Sequence, residues 1–195
     1  MAKKKNAAYV VWKGHKTGVF DTWAQCQQAT SGYAGAQFKG FTSKAEALAA
    51  FNGELSTPKA PTGHALTVDA AWNSVGKDME YQGVWLDTGE TAFRVGPIAD
   101  GTNNIGEFLA IVHGLALLKQ LGDDCPIYTD SATAMAWLRK KKANSQNVKE
   151  GRVDAKLIEL LARAELWLQE NPYPNKVLKW HTKDWGEIPA DFGRK

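Results

Sequence analysis

The stretch Ala65–Val95, ALTVDAAWNSVGKDMEYQGVWLDTGETAFRV, decides the fold. It holds three β-type runs, Ala65–Asp69, Tyr81–Leu86 and Thr91–Val95, and the Asp87-Thr88-Gly89-Glu90 turn makes the last two a hairpin. Downstream, Phe108, Ile111, Val112, Leu115 and Leu118 recur at core-facing helical spacing. Pro126–Thr129 reads as a short strand, and Ser131–Lys142 as a helix with Ala134, Trp137 and Leu138 on one face. A longer helix over Asp154–Glu170 is expected to bury Leu157, Leu160, Leu161, Ala164 and Leu168, with Val177–Trp180 as the last strand. Three antiparallel strands followed by alternating helix and strand imply an α/β architecture: a mixed five-stranded sheet with helices on both faces.

Upstream, the pattern predicts a small α+β unit, a three-stranded antiparallel sheet with two helices. Its strands are Ala8–Trp12, Val19–Phe20 and Gln37–Phe41; one helix runs over Thr22–Gln28, and another is opened by Thr42 or Ser43, with Glu46 at capping-box spacing from Ser43. Asn52–Gly63, with Pro58 and Pro61, has no apolar periodicity and reads as a linker. The expected organisation is a first domain over 1–51, a linker over 52–63 and a second domain over 64–195.

Of the 195 residues 44% are apolar, which excludes a disordered tail and supplies at least one proper core. The net charge of +3 is too small to name a partner, but it is unevenly spread. Residues 1–51 carry seven Lys against Asp21 and Glu46, net +5, whereas residues 52–195 hold 17 basic and 19 acidic side chains, net −2. Cys26 and Cys125 fall in different halves without metal-ligand spacing and read as reduced, packed thiols. The apolar run after Lys3, Lys4 and Lys5 is too short for a signal-peptide core, and no stretch has the length of a membrane span. The expectation is a cytoplasmic protein with no membrane and no obligate protein partner, and a monomer, since no apolar stripe is left over once the cores are assigned.

Glycine-rich phosphate loops, Ser or Cys nucleophile signatures and His-x-x-x-His spacings are absent, which leaves carboxylates as the candidate chemistry. Asp69 ends the first strand of the second domain inside an apolar run, where a buried unpaired charge would cost several kcal/mol. Glu107 opens the Phe108 helix, Asp130 stands where the fourth strand turns into its helix, and Glu187 and Asp191 lie one turn apart near the C-terminus. Each has a structural alternative: Asp69 as a paired acid, Glu107 as the acidic half of a capping box begun by Asn104, Asp130 as a helix cap. If these carboxylates converge, their repulsion calls for cations, as in a two-Mg²⁺ phosphoryl-transfer site. Spacing alone leaves the convergence open.

Four motifs stand in order: Thr67-Val68-Asp69-Ala70-Ala71, Gly101-Thr102-Asn103-Asn104-Ile105-Gly106-Glu107-Phe108, Tyr128-Thr129-Asp130-Ser131, and Trp185-Gly186-Glu187-Ile188-Pro189-Ala190-Asp191-Phe192-Gly193-Arg194-Lys195. Through them residues 64–195 resemble a type 1 ribonuclease H. Residues 8–51 resemble the RNA/DNA hybrid-binding domain that precedes it in many members, through Lys13-Gly14-His15-Lys16-Thr17-Gly18-Val19-Phe20-Asp21-Thr22-Trp23 and Gln37-Phe38-Lys39-Gly40-Phe41. The resemblance implies an endonuclease that cuts the RNA strand of RNA/DNA hybrids with two Mg²⁺ ions, Mn²⁺ being a substitute, and leaves 5′-phosphate and 3′-hydroxyl ends. It implies metal ligation by Asp69, shared between the ions, by Asp191 on the water-activating side, and by Glu107 and Asp130 on the leaving-group side. It further implies 2′-hydroxyl sensing by Glu107, an auxiliary role in metal traffic and product release for Glu187, a phosphate contact on the DNA strand for Thr102, Asn104 and Ser145, and an RNA-facing Asn103.

In the first domain the resemblance points to Trp23 and Phe38, with Lys39, as a pocket for the DNA backbone, to Tyr9 as a further contact, and to Lys16 and Lys3–Lys5 as sources of phosphate attraction. Three positions depart from the family. The turn after the first strand of the second domain reads Trp72-Asn73-Ser74-Val75-Gly76, Ala132 replaces a Gln, and Gly40 replaces a Lys. The first two imply a weaker hybrid grip by the catalytic domain alone. Two rival readings are a non-catalytic hybrid binder and an integrase-like nuclease acting on DNA.

Overall fold

The structure is a computed structural model that describes residues 6–53, 59–73 and 75–193. Lys3–Lys5, the linker positions 54–58, Ser74, Arg194 and Lys195 lie outside the described residues. The chain divides into two compact units, residues 1–59 and 60–195.

In the first unit the elements run β1 (Ala8–Lys13), β2 (Gly18–Phe20), α1 (Trp23–Thr30), β3 (Gln37–Phe41) and α2 (Lys44–Phe51), with antiparallel sheet order β2-β1-β3. The central strand β1 is apolar on both faces: Ala8 and Val10 pack with Phe41 and Ala47, and Val11 packs with Cys26 and Ala29. A sheet with helices against both faces follows directly. Thr22 caps α1 through a complete capping box, Gln25 N donating to Thr22 Oγ1 at 3.3 Å and Thr22 N donating to Gln25 Oε1 at 3.2 Å. Ser43 caps α2, while the Glu46 carboxylate turns to the Thr42 hydroxyl.

The second unit runs β4 (Leu66–Asn73), β5 (Asp78–Trp85), β6 (Thr91–Ala99), α3 (Asn103–Leu121), β7 (Ile127–Thr129), α4 (Ala132–Lys140), α5 (Gln146–Lys149), α6 (Ala155–Glu170), β8 (Val177–Lys179) and α7 (Thr182–Trp185). Its five-stranded mixed sheet has the order β6-β5-β4-β7-β8, antiparallel through the first three strands and parallel from β4 to β7 to β8. Leu66, Val68 and Ala70 of β4 face α3, and α4 and α6 pack on α3 in turn. Phe108, Ile111, Val112, Leu115 and Leu118 are all buried, as their spacing predicts, whereas Leu160 is only half-buried at the edge of the α6 stripe.

Three strands and one helix of this unit differ clearly from their expected limits. The strand carrying Asp69 continues to Asn73, because Ala70–Asn73 keep pairing with β5; Asp69 is therefore mid-strand. Strands β5 and β6 are longer than their apolar runs, Pro97 being tolerated because β6 is the sheet edge. Helix α4 stops at Lys140, where Lys141 turns left-handed at φ 52°.

Gly106 sets the spacing of α3 on the sheet, since a Cβ there would sit 2.7 Å from Ala70 Cβ. A Gly106→Ala change gains about 1 kcal/mol of helix propensity, yet this clash is between groups that cannot swing away. We expect a net loss of about 1–3 kcal/mol. A thermal melt checks it, and a stabilised variant would mean that helix and sheet separate freely at this point. Cys26 and Cys125 are both buried free thiols, and among the described residues no helix is long and apolar enough to cross a membrane.

Candidate active site

β-strand alternation turns Asp69 away from α3, since Val68 and Ala70 on either side face the helix. Its register partner on β5 is Gln82, and Arg94 of β6 lies opposite Gln82 in turn. This row of polar residues receives the C-terminal segment. Buried Gln82 donates from Nε2 to the Ala190 carbonyl at 2.8 Å, and the Arg94 guanidinium lies 5.1 Å from the centre of the Phe192 ring. With Ile188 and Ala190 buried, Asp191 is carried to the side of the sheet that holds Asp69. Gly193 N donates to the Asp191 carboxylate at 2.9 Å.

Glu107 comes from the second turn of α3, whose N-cap is Thr102, so the capping box begun by Asn104 does not form. Its carboxylate accepts from Asn103 Nδ2 at 2.9 Å and from the Ser131 hydroxyl. Ser131, not Asp130, caps α4 by accepting from Ala134 N at 3.1 Å. One hydroxyl thus ties the start of α4 to Glu107. Asp130 is held at the end of β7 by its backbone, whose carbonyl accepts from the Lys179 ammonium on β8. Sequence reasoning missed Gln82, Arg94, Ser131 and Lys179. Their signal was weak, a polar residue within a strand or at a helix cap.

The result is that Asp69, Glu107 and Asp130 each present one carboxylate oxygen, all within 4.8 Å of one another. They line a cleft of about 360 Å³ together with Asp191, Asn103 and Trp72. Burial pushes the Asp69 carboxyl up to about 7; the Ala70 backbone hydrogen bond opposes this, and the charges of Asp130, Glu107 and Asp191 add to it. Burial likewise pushes Glu107 up to about 6, with the Ser131 hydrogen bond and the Lys179 charge opposing and Asp130 adding. Carboxylates that close and that desolvated repel unless a cation lies among them. The all-oxygen donor set suits a hard divalent ion such as Mg²⁺ or Mn²⁺.

Glu187 is exposed and is not in the cleft wall. Thr102 lines an adjacent cleft of about 360 Å³ with Lys77, Asn147 and Arg152, and Trp72 stands between the two clefts, half exposed. Asn104 is exposed on α3, while Ser145 lines a different groove with Lys140, Lys142 and Lys149. Thr102 and Ser145 are therefore not brought into one cleft. Asn147 and Arg152 are the polar neighbours that the sequence did not single out.

In the first unit Tyr9, Trp23 and Phe38 form a row of rings, with centroids 5.5 Å and 5.7 Å apart, and Trp23 and Phe38 are 47% and 43% exposed. Trp23 and Phe38 are thus left open to solvent, while Tyr9 packs against the small core of Val11, Cys26 and Ala29. Lys16 lines a neighbouring groove with His15 and Gln25. Lys39 pairs with Val10 on the opposite face of the sheet, its ammonium 5.6 Å from the centre of the Phe41 ring. It does not join Trp23 and Phe38.

The second unit is thus a mixed α/β sheet with an acidic, cation-suited cleft beside its parallel strands, and the first is a small α+β unit with an open aromatic row. Residues 7–51 match the family model described as Ribonuclease H1 N-terminal domain. Among solved structures, the chain is similar to RNase H1 from the halophilic archaeon Halobacterium salinarum, at 18% identity over 62% of this chain and 86% of that one, with a TM-score of 0.40. It is also similar to an RNase H1 isolated from compost by a metagenomic approach, at 16% identity over 62% and 85%, TM-score 0.42. The LC11-RNase H1 in complex with an RNA/DNA hybrid gives 17% identity over 63% and 88%, TM-score 0.39.

Proposed function

We propose that the chain is a divalent-metal-dependent endonuclease that hydrolyses the RNA strand of RNA/DNA hybrids, leaving 5′-phosphate and 3′-hydroxyl ends. The observation that carries this reading is the convergence of Asp69, Glu107 and Asp130, with Asp191 alongside, in one open cleft. The match of residues 7–51 supports the hybrid as substrate.

Asp69, Glu107, Asp130 and Asp191 would hold two Mg²⁺, or Mn²⁺ in their place. Such ions, when bound, would neutralise phosphate charge, lower the pKa of the attacking water and stabilise the negative charge on the leaving 3′ oxygen. The chain's own part is positioning. Ser131 and Asn103 fix the two oxygens of Glu107, so that its carboxylate keeps one orientation beside the 2′-hydroxyl of the RNA strand. Gln82 and Arg94 hold the segment bearing Asp191 on the sheet, where it closes one side of the cleft. Thr102 and Arg152, in the adjacent cleft, supply a hydroxyl and a positive charge for a backbone phosphate of the DNA strand. Exposed Glu187 serves metal exchange and product release. The aromatic row of Tyr9, Trp23 and Phe38 holds the hybrid, with Lys16 drawing its phosphates, so the first unit raises the local concentration of substrate. The protein works as a monomer in the cytoplasm.

Ser131→Ala removes the hydroxyl that stabilises the Glu107 carboxylate, so Glu107 holds its proton more tightly still. The rise of cleavage rate with pH is expected to move to higher pH than in the parent, alongside a loss of about 1 kcal/mol from the missing cap. A pH–rate profile at sub-saturating Mg²⁺, where the proton and the ion compete for Glu107, checks this; an unshifted profile would separate Glu107 from the chemistry. The function itself is tested by comparing cleavage of matched RNA/DNA, RNA/RNA and DNA/DNA duplexes. Cutting confined to the RNA of the hybrid supports it, and hybrid binding without cutting replaces it with a non-catalytic binder.

A further inference from the structure

The N-terminal ends of β4 and β7 lie at the end of the sheet opposite to that from which Asp130 emerges, because the two strands run parallel. Three chain segments meet there. His64 precedes β4, Asp123 and Cys125 precede β7, and Asp87 follows β5 in the hairpin turn. The His64 ring is gripped between carboxylates, Nδ1 lying 2.9 Å from Asp87 Oδ2 and Nε2 lying 2.7 Å from Asp123 Oδ2. It is stacked on Trp85, 5.0 Å between ring centres and 15° from parallel. Cys125, buried, stands two residues beyond Asp123. One nitrogen of His64, one oxygen of Asp123 and the sulfur of Cys125 all lie within 4.8 Å of one another.

We propose that His64, Asp123 and Cys125 form a second metal site, for a transition-metal dication of the zinc class, at the end of the sheet remote from the acidic cleft. Imidazole nitrogen, thiolate sulfur and one carboxylate oxygen are the donor types of a four-coordinate zinc site, unlike the all-oxygen set around Asp69. Asp87 fills the outer position such sites carry, a carboxylate that receives the other ring nitrogen and so fixes the tautomer and the plane of the histidine. The remaining coordination position is open to solvent, since His64 is half exposed.

The frame is built in advance of any ion. Gly122 ends α3 in the left-handed conformation, and Asp123 N donates back to Leu118 O at 2.9 Å. Asn175, buried before β8, donates from Nδ2 to both the Asp123 and the Cys125 carbonyls, at 3.0 Å and 2.9 Å. Asp123 Oδ1 accepts from Cys125 N at 2.9 Å. The donor-bearing loop is thus pinned on both sides, and an ion need only widen the His64–Asp123 contact to enter. On binding, bonds from the ion to Cys125 Sγ, His64 Nε2 and the Asp123 carboxylate form as water ligands leave the ion, while the thiol proton and the proton shared by His64 Nε2 and Asp123 pass to solvent. The ion would tie the entry to β4 to the α3–β7 turn and, through Asp87, to the β5–β6 turn.

The test is titration of the full chain with Co²⁺ and then Zn²⁺, in excess Mg²⁺ that occupies the acidic cleft. We expect one equivalent of Co²⁺ to give the visible bands of a four-coordinate ion and a near-ultraviolet thiolate-to-cobalt band, both erased by Zn²⁺. Cys125→Ala should remove the thiolate band and His64→Gln should weaken binding about 100-fold, while Asp87→Asn weakens it about 10-fold. Cys26→Ala and Asp69→Asn should leave the spectrum unchanged. Absence of a thiolate band with the parent chain, its persistence in Cys125→Ala, or its loss in Asp69→Asn would overturn the proposal. The spectrum does not depend on cleavage, so failure of this site and failure of the nuclease reading are distinguishable.

Discussion

Replacing Asp69 with Asn is expected to abolish hybrid cleavage and, in the same molecule, to make the metal-free protein more stable. The loss of activity, about 10³-fold or more, follows if this carboxylate holds ions worth several kcal/mol to the reaction. The gain in stability follows from its protonation. In the fold Asp69 is held at about 7 and Glu107 at about 6, against 3.8 and 4.5 for the free groups. Below the lower values both groups carry their protons whether the chain is folded or not, and there is no cost. As pH rises through 4 to 7 the unfolded chain releases its protons first, so the folded state loses stability, and above about 7 the loss is complete. For Asp69 it is on the order of 2–4 kcal/mol. The amide of Asn carries no charge to desolvate, so Asp69→Asn should melt several degrees higher than the parent in EDTA at pH 8, with little difference at pH 4. Mg²⁺ should raise the parent's melting temperature and leave the variant's nearly unchanged. Equal melting of the two chains at pH 8 without metal would show that the cleft is not electrostatically strained.

The second large effect belongs to the other unit. Trp23 stands between Tyr9 and Phe38, 47% exposed, so truncating it removes contact surface while leaving the two small cores intact. Trp23→Ala in the full chain is expected to weaken hybrid binding by about 1–2 kcal/mol, roughly tenfold. Because the residue acts on bound substrate and not on the reacting phosphate, KM rises and kcat is unchanged. Steady-state kinetics on a labelled hybrid decide this. A fall in kcat with KM unchanged would contradict the assignment of the first unit to substrate capture.

Much of this architecture was legible because burial leaves a period. Val68 and Ala70 around Asp69, the spacing of Phe108 to Leu118, and the Asp87–Glu90 turn each follow from one face being apolar or one turn being tight. What escaped depended on contacts distant in sequence. Gln82 and Ala190 are 108 residues apart, and nothing in a strand's alternation says that its polar residue grips the C-terminal segment. Ser131 reads as an ordinary helix cap, and only the fold shows that the same hydroxyl serves Glu107. The resemblance groups Lys39 with Trp23 and Phe38 in one pocket. Strand alternation separates them, since Phe38 and Lys39 are neighbours and therefore face opposite ways. Ala70–Asn73 is a weak strand signal, and only its pairing with β5 extends β4 past Asp69.

A catalytic acidic cleft that serves one substrate should cut that substrate alone. The most direct measurement is cleavage of an end-labelled RNA/DNA hybrid in Mg²⁺ by the parent chain and by Asp130→Asn, beside RNA/RNA and DNA/DNA duplexes of the same sequence. Cutting of the RNA strand in the hybrid alone, giving 3′-hydroxyl ends and lost in the variant, is the predicted result. Equal cutting by Asp130→Asn, or cutting of the DNA duplex at the rate of the hybrid, would contradict it.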